Sequence, residues 1–327
     1  MNPTASSVHV NTPLAQISIA FMQNAQNFVA DKAFPVVPVD KQSDLYYEYD
    51  RADWNRNQMA KRAPATESIG GGYRVSNTPY FADVFALHKD IDDQIRANAD
   101  SAFNLDRDAS EWLARMALLN REVNWATDFF TTGVWTTDWT GVSAGENNTT
   151  TFRQWNDATS IPLETIRRAK RTIKLSTGYS PNTLVIGTEV WDMLVDHVDI
   201  LERIKYSSSN ASPAMVTREM MSALLEIDQI LVMESIQNTA IEGQASSNAF
   251  IGGKKALLIY APTNPGLLTP AAGYTFAWRG YMGGTQPAEI QRFRLQELRS
   301  DRVEIEAAYD QKRISADLGV FFGSVVA

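Results

Sequence analysis

The stretch DASEWLARMALLNREVNWATDFF, Asp108 to Phe130, decides how the rest of the chain is read. Trp112, Met116, Leu119, Val123, Ala126 and Phe130 recur at alternating steps of four and three. That is one apolar stripe along a helix of about six turns. Asp108 and Glu111 spell a capping box at its start, and Gly133 supplies a stop just past its end. Glu111, Arg115, Asn120, Arg121, Glu122, Asn124 and Asp128 fill the other positions. The spacing predicts an amphipathic helix over 108–130, buried along one face and needing a partner surface.

With 327 residues and 44% hydrophobic content, the chain can bury one large or two modest cores. It has no cysteine, which excludes disulfides, thiolate metal sites and cysteine nucleophiles. Met1-Asn2-Pro3-Thr4 carries neither a positive residue nor an apolar core, so no signal peptide is expected. Apolar runs such as Ala256 to Ala261 are too short to cross a bilayer, and a soluble intracellular product is expected. The net charge of −8 argues against a sequence-reading nucleic-acid binder, though it suits a protein that sits near nucleic acid without gripping it. His9, His88 and His197 have no partners at metal-ligand spacing, so no catalytic, cofactor or metal residue is assigned.

Outward from the helix, residues 1–33 are rich in Asn, Gln, Ser, Thr and Ala. They read as an extended arm or one short helix (Gln16 to Phe28) lying on something else, with Phe21 and Phe28 among its apolar contacts. Phe34-Pro35-Val36-Val37-Pro38-Val39 forces an extended segment. The β-rich runs Ser43 to Arg51 and Tyr73 to Lys89 enclose a polar interval holding Trp54, Arg56, Lys61, Arg62, Glu67 and Gly70-Gly71-Gly72. A long hairpin is the natural reading. The glycine triplet lacks the Lys-Ser/Thr and the strand-to-helix context of a phosphate loop. Asp90, Asp92 and Asp93 beside His88 read as a solvated acidic start to a short helix over 91–99, in preference to a metal site. Thr131 to Ser160 reads as an irregular segment anchored by Trp135, Trp139, Phe152 and Trp155.

At Pro162 the texture becomes regular. Leu163, Ile166, Ala169 and Ile173 line a helix closed by Gly178, and Arg167, Arg168, Lys170, Arg171 and Lys174 make it basic, solvated or facing an acidic neighbour. Strands at 183–187, 230–233, 256–261 and 274–278 alternate with helices at 188–198 and 217–227, giving an α/β lobe over 162–287. Ser207 to Ser212 reads as an exposed loop. The last forty residues alternate apolar and polar at Ile290–Leu298, Val303–Tyr309 and Ile314–Phe322. These are long antiparallel strands, and the Asp108 helix is their expected partner.

That order resembles the major capsid protein of tailed double-stranded-DNA phages, the Hong Kong ninety-seven fold. The segments that look like it are Phe81-Ala82-Asp83-Val84-Phe85-Ala86-Leu87-His88-Lys89-Asp90 and Thr183-Leu184-Val185-Ile186-Gly187-Thr188-Glu189-Val190-Trp191. Ala277-Trp278-Arg279-Gly280-Tyr281 and Asp317-Leu318-Gly319-Val320-Phe321-Phe322 look similar as well. The resemblance implies an α+β fold with an N-terminal arm (1–39), an extended hairpin loop (40–88) and a peripheral domain (89–161) holding the spine helix 108–130. An inserted α/β axial domain (162–287) and returning peripheral strands (288–327) complete it.

It also implies a structural function: self-assembly as hexamers and pentamers into an icosahedral shell around double-stranded DNA that is held non-specifically. Either a separate scaffolding protein or a mature form is implied, because no room for a cleavable scaffolding segment precedes the arm. A portal at one vertex follows as well, with room for a decoration protein, no membrane, assembly in the host cytoplasm and residence in the virion. Under this reading Trp54, Arg56, Lys61, Arg62 and Glu67 of the hairpin, and Phe21 and Phe28 of the arm, contact neighbouring subunits, since neither element is expected to bury its aromatic residues on its own protomer. Lys61 has no identifiable acceptor Asn or catalysing carboxylate for a covalent cross-link, and none is expected. Two readings stand beside it: an encapsulin-like compartment of the same fold, and an α/β enzyme with its site in 162–287.

Overall fold

A computed structural model describes residues 23–99, 104–144, 148–207, 216–266, 269–282 and 288–327. From Gln23 the chain makes a 3-10 turn (Ala25–Asn27), one helical turn, α1 (Ala30–Ala33), and the strand β1 (Val36–Val39). Pro35 and Pro38 leave this last segment no helical option. A hairpin follows, made of β2 (Ser43–Tyr49), the short helix α2 (Arg51–Trp54) and the return strand β3 (Val75–Phe81). Strand β4 (Asp83–Asp92) leads through α3 (Asp93–Asn98) into the long helix α4 (Leu105–Phe129). Next come β5 (Thr137–Val142), β6 (Thr151–Arg153), α5 (Pro162–Thr177), β7 (Thr183–Gly187), α6 (Thr188–Val195), α7 (Val198–Ser207) and α8 (Arg218–Leu225). Strands β8 (Gln229–Met233), β9 (Ile236–Asn238), β10 (Asn248–Phe250), β11 (Ala256–Ile259) and β12 (Gly273–Trp278) precede the single turn α9 (Arg279–Met282). The chain closes with β13 (Ala288–Leu295), β14 (Ser300–Arg313) and β15 (Gly319–Gly323).

One half of the described residues is built on β14. Ala307 pairs with Ala288 of β13 and with Phe85 of β4, so these strands flank it on opposite edges. Further along, Tyr309 pairs with Ala277 of β12, whose other edge takes β1 in parallel. Alternation then sorts the side chains of β14. Val303, Ile305, Ala307, Tyr309 and Gln311 are buried, while Arg302, Glu304 and Glu306 lie on the opposite, wetter face.

Helix α4 packs on the buried face, but not through the stripe that its spacing predicts. Leu105, Ala109, Leu113 and Ala117 meet Ile91, Val303 and Ile305, and Asn120 and Asn124 both donate to the Tyr309 hydroxyl at 3.1 Å. Trp112, by contrast, is 40% exposed, with Lys89 over its ring. The small Ala109 and Ala117 let the helix lie close to the sheet, where the bulk of Trp112 would hold it off. Its C-terminal end enters a second and larger core, where Ala126 and Phe130 of the expected stripe are buried beside Trp125 and Phe129. The helix therefore spans both cores. Arg121 and Glu122, expected on the wet side, are buried between them. The start also moves: Asn104, ahead of the expected Asp108–Glu111 box, accepts from the Arg107 amide as N-cap.

The larger core belongs to a six-stranded sheet in the order β6-β5-β15-β11-β7-β8. Helix α5 covers it with Leu163, Ile166, Ala169 and Ile173, and Gly178, in the left-handed region, ends it as expected. Two strands sit elsewhere than their pattern predicts. β15 leaves the β13–β14 sheet and inserts between β5 and β11, because Val320, Phe321 and Phe322 are buried on both faces. β12 leaves the α/β lobe for the β14 sheet. Thr131 to Ser160 is likewise less irregular than expected, holding β5 and β6. Its four aromatic anchors are buried as predicted, with Trp139, Phe152 and Trp155 all packed against Phe322.

The acidic run at the α3 start is neutralised by arginines. Asp90 pairs with Arg302, Asp93 pairs with Arg294, and Asp92 caps Gln94. Asp301, at the start of β14, sits among Arg96, Arg292 and Arg294 at 3.0, 2.7 and 3.3 Å. Hydrogen bonding to Arg292 is the main force holding its carboxyl below the usual range. Its stabilising contribution is present above the ordinary Asp pKa and lost as pH falls through the lower folded value. Asp301→Asn is expected to lower the thermal midpoint at pH 7. The deficit should narrow in high salt, begin to shrink below the ordinary Asp range and close only as pH falls through the lowered folded value, where the wild-type carboxyl is protonated as well. A deficit at pH 7 that high salt leaves unchanged would show that packing, and not charge, is at work.

Candidate assembly surfaces

The hairpin is in place as expected, with Ser43 opposite Phe81 through Tyr49 opposite Val75. Its base is bound to its own chain. Tyr46 and Tyr80 stack on Phe276 of β12 at 5.7 and 4.6 Å, and the Phe81 amide donates to Asp310 at 2.9 Å. The expectation that the hairpin cannot bury aromatic residues on its own protomer is thus corrected for its base. The tip is different. Tyr49, Trp54 and Tyr73 form a mutual cluster with centroids 5.6 to 5.9 Å apart, yet Trp54 is 58% and Tyr73 61% exposed. Met59 and Ile69 stand out further still. Arg74 ties the return strand to Asp50 and Asp53, and Arg51 reaches Asp317.

Of the residues expected at contacts, Trp54, Arg56, Lys61, Arg62 and Glu67 are all exposed on this tip. Arg56, Lys61 and Arg62 have no ion-pair partner among the described residues; the Arg62 side chain donates to the Thr66 carbonyl instead. Gly70 to Gly72 lie on the same exposed tip. Phe21 and the stretch 16–22 of the expected arm helix lie outside the described residues, as do 208–212 of the Ser-rich loop. Phe28 is a correction. It is only 8% exposed and lines a cavity with Ala25, Leu118, Arg121 and Glu122 of its own chain, so it has little surface to offer a neighbour.

The wet face of the β14 sheet is the second surface. Glu289 of β13 lies directly opposite Glu306 of β14, and Glu304 lies opposite His88 of β4 and Gln291 of β13. No cation pairs with these three carboxylates among the described residues. The Tyr281 hydroxyl donates a hydrogen bond to Glu306 and the Arg302 charge attracts Glu304, yet Glu289 and Glu306 stay directly opposed, and opposed like charges cost a sheet stability. On the α/β lobe, α5 leaves Arg167, Arg171 and Lys174 exposed, whereas Arg168 stacks over Trp139 at 4.1 Å and Lys170 caps the end of α8.

The arm is held by a site that composition and periodicity did not reveal. Glu122 Oε2 accepts the Val29 and Ala30 amides at 2.9 and 2.8 Å, and Oε1 accepts the Ser235 hydroxyl at 3.2 Å. Burial pushes the Glu122 carboxyl up to about 7, against the pull of these hydrogen bonds. Beyond it, Phe34 is fully buried against Trp125 and Phe129 at 5.7 and 4.8 Å.

Within 157–199 the structure brings Ser160 and His197 together, both buried, with Oγ and Nε2 3.1 Å apart. The pair is not wired for nucleophilic chemistry. Nδ1 accepts the Asp199 amide at 3.2 Å, so in the neutral ring Nε2 carries the hydrogen and directs it at Ser160 and the Asp157 carbonyl. A general base needs that position as a lone pair. Among the described residues no cluster of metal-ligating side chains forms, and no helix is long and apolar enough to cross a membrane.

Comparison with known proteins completes this picture. A family profile described as "Phage major capsid protein E" matches residues 134–282. The major capsid protein of Pseudomonas phage JBD67 is 27% identical over 324 residues, 97% of each chain. That of Burkholderia phage BcepMu is 24% identical over 276 residues, covering 83% of this chain and 84% of its own. In fold, a phage-related protein from Bordetella bronchiseptica RB50 superposes with a TM-score of 0.67 at 19% identity, covering 91% of this chain and 92% of its own. The capsid structure of cyanophage P-SCSP1u gives 0.64 at 10% identity, covering 96% and 92%. An encapsulin complex from Synechococcus elongatus PCC 7942 gives 0.54 at 8% identity, covering 96% and 93%. The fold is thus the α+β fold of phage capsids, which encapsulins share, and the two relatives aligned along most of the chain favour the phage branch. In profile over residues 134–282, in sequence along most of its length and in fold, this chain is similar to the major capsid proteins of phages, and these likenesses support a structural role.

Proposed function

We propose that copies of this chain assemble, as hexamers and pentamers, into the icosahedral shell that encloses the double-stranded DNA genome of a tailed phage. The observation that carries this reading is the hairpin: its tip holds an exposed aromatic cluster and three unpaired cations, while an unpaired acidic face lies on the β14 sheet. The two are complementary. We place the tip of one copy, through Trp54, Arg56, Lys61 and Arg62 with Glu67 at its rim, on the Glu289–Glu304–Glu306 face of its neighbour. Each such contact is weak alone, and a ring of them sums by multivalency. The net charge of −8 fits DNA held by confinement and not by phosphate neutralisation. A separate scaffolding protein, a portal at one vertex and a decoration protein on the outer surface complete the proposed assembly, formed in the host cytoplasm.

Light scattering and electron micrographs of the purified chain, with and without a co-expressed scaffolding protein, test the reading. Shells or five- and six-membered rings are expected. The triple substitution Arg56→Glu, Lys61→Glu, Arg62→Glu should abolish particles and leave the thermal midpoint within a few degrees, since these three side chains are exposed and make no ion pair among the described residues. Adding Glu289→Lys, Glu304→Lys and Glu306→Lys to the triple variant should restore assembly. A wild-type monomer that persists with scaffolding protein, or triple-variant shells as abundant as wild type, would overturn the proposal. Shells filled with protein cargo in place of DNA would move the chain to the encapsulin reading.

A further inference from the structure

Glu122 sits with no exposed surface where three segments meet: the arm at Val29–Ala30, helix α4, and the loop after β8 at Ser235. Its two amide contacts are the polar fastening of the arm, and Phe34 is the apolar one. Among the described residues no ammonium or guanidinium pairs with this carboxyl. The adjacent Arg121 turns instead to Asp31, 3.1 Å away.

The geometry accepts either protonation state. When Glu122 is ionised, both oxygens accept, from the two amides and from the Ser235 hydroxyl. When it is neutral, Oε2 still accepts both amides, while Oε1–H donates to the Ser235 oxygen, whose own hydrogen rotates away. What differs is the cost of burial, which falls on the charged form. An undocked arm would open this carboxyl to water, where ionisation costs little.

We propose that the Val29–Phe34 segment is a detachable latch whose docking on α4 takes up a proton at Glu122, so that rising pH loosens the arm from the spine helix. The groups around Glu122 act in one direction. Asp31 on α1 adds a negative charge that raises Glu122 further, and burial holds Asp31 itself above its usual range, partly offset by Arg121. Lys32 shares with Glu122 and Leu118 the walls of a cavity of about 150 Å³ but is exposed. Beyond Ser235, Glu234 is occupied by Arg218. A carboxyl raised on docking favours the docked state below the ordinary Glu range, and that advantage is lost as pH rises through about 7.

The test needs no assembled shell and is therefore independent of the assembly reading. Amide hydrogen exchange at Val29 and Ala30 of the 327-residue chain, corrected for intrinsic base catalysis, should lose about two orders of magnitude of protection between pH 5 and pH 8.5. In Glu122→Gln, whose amide oxygen still accepts both N–H groups, protection should be flat across that range. Ser235→Ala removes a hydrogen bond that is stronger to the ionised carboxylate than to the neutral carboxyl, so the midpoint should move to higher pH. This milder variant keeps the test usable if Glu122→Gln fails to fold. A flat wild-type profile, a Glu122→Gln profile that follows wild type, or an unmoved midpoint in Ser235→Ala would each overturn the latch. So would a profile flattened by Asp31→Asn and not by Glu122→Gln.

Discussion

Phe34→Ala is expected to destabilise the chain by about 3–5 kcal/mol, read as a lower urea midpoint, because the ring fills a site that cannot close behind it. It stands edge-on to Trp125 and tilted on Phe129. On its third side Gly273 leaves room for it: a Cβ added there would lie 2.4 Å from the Phe34 ring. Backbone strands hold the other walls, with Thr275 Oγ donating to the Phe34 carbonyl at 3.1 Å and β1 paired to β12 in parallel. A ring removed from walls made of sheet and helix leaves a void that side-chain rotation fills poorly. The reciprocal substitution, Gly273→Ala, should also be destabilising, because the added methyl meets the Lys312 carbonyl at 2.7 Å as well as the ring. A loss below about 1 kcal/mol for Phe34→Ala would mean that the arm contributes little to the stability of the chain.

Glu122→Ala is expected to cost about 2–6 kcal/mol at pH 5, since it leaves the buried Val29 and Ala30 amides without their acceptor at roughly 1–3 kcal/mol each. Unlike Phe34→Ala, this loss should depend on pH. At pH 8.5 wild type itself carries a buried, ionised carboxyl raised from 4.5 to about 7, so the deficit should shrink by about 3 kcal/mol. Urea titrations of both proteins at the two pH values check the sign, and a deficit that grew with pH would refute the burial argument. Combining Glu122→Ala with Phe34→Ala should cost less than the sum of the two. Both substitutions release the same segment, and a segment already undocked has little more to lose.

Where the chain carried local instructions, the sequence was legible. Pro162 and Gly178 bound a helix between them because each residue's backbone permits little else at those positions. Pro35 and Pro38 hold β1 extended for the same reason, and the alternating aromatic runs around 43–51 and 73–89 pair as a hairpin. The exposed tip residues Trp54, Arg56, Lys61, Arg62 and Glu67 were also within reach, as polar and glycine-bearing sequence between two strands marks a loop.

What remained out of reach were the choices between surfaces. Period 3.6 shows that α4 has an apolar side, but Trp112 and Ala109 can each claim to lead it. The close approach of β14 selects the line of small side chains and leaves the tryptophan at the rim. Charge marked Arg121 and Glu122 for water, and the arm folding over them made a buried site that no spacing within α4 encodes. Period 2 likewise shows that β15 is a strand without naming its partners, which lie more than a hundred residues away at β5 and nearer at β11. The sequence by itself determined most of the elements, their order and the hairpin that projects from them, because backbone preference and side-chain period act within a few residues. Only the tertiary structure decided which face of each element is inside, which sheet each strand joins and which carboxyl holds the arm, because those depend on volumes and hydrogen-bond partners that meet only when distant segments pack.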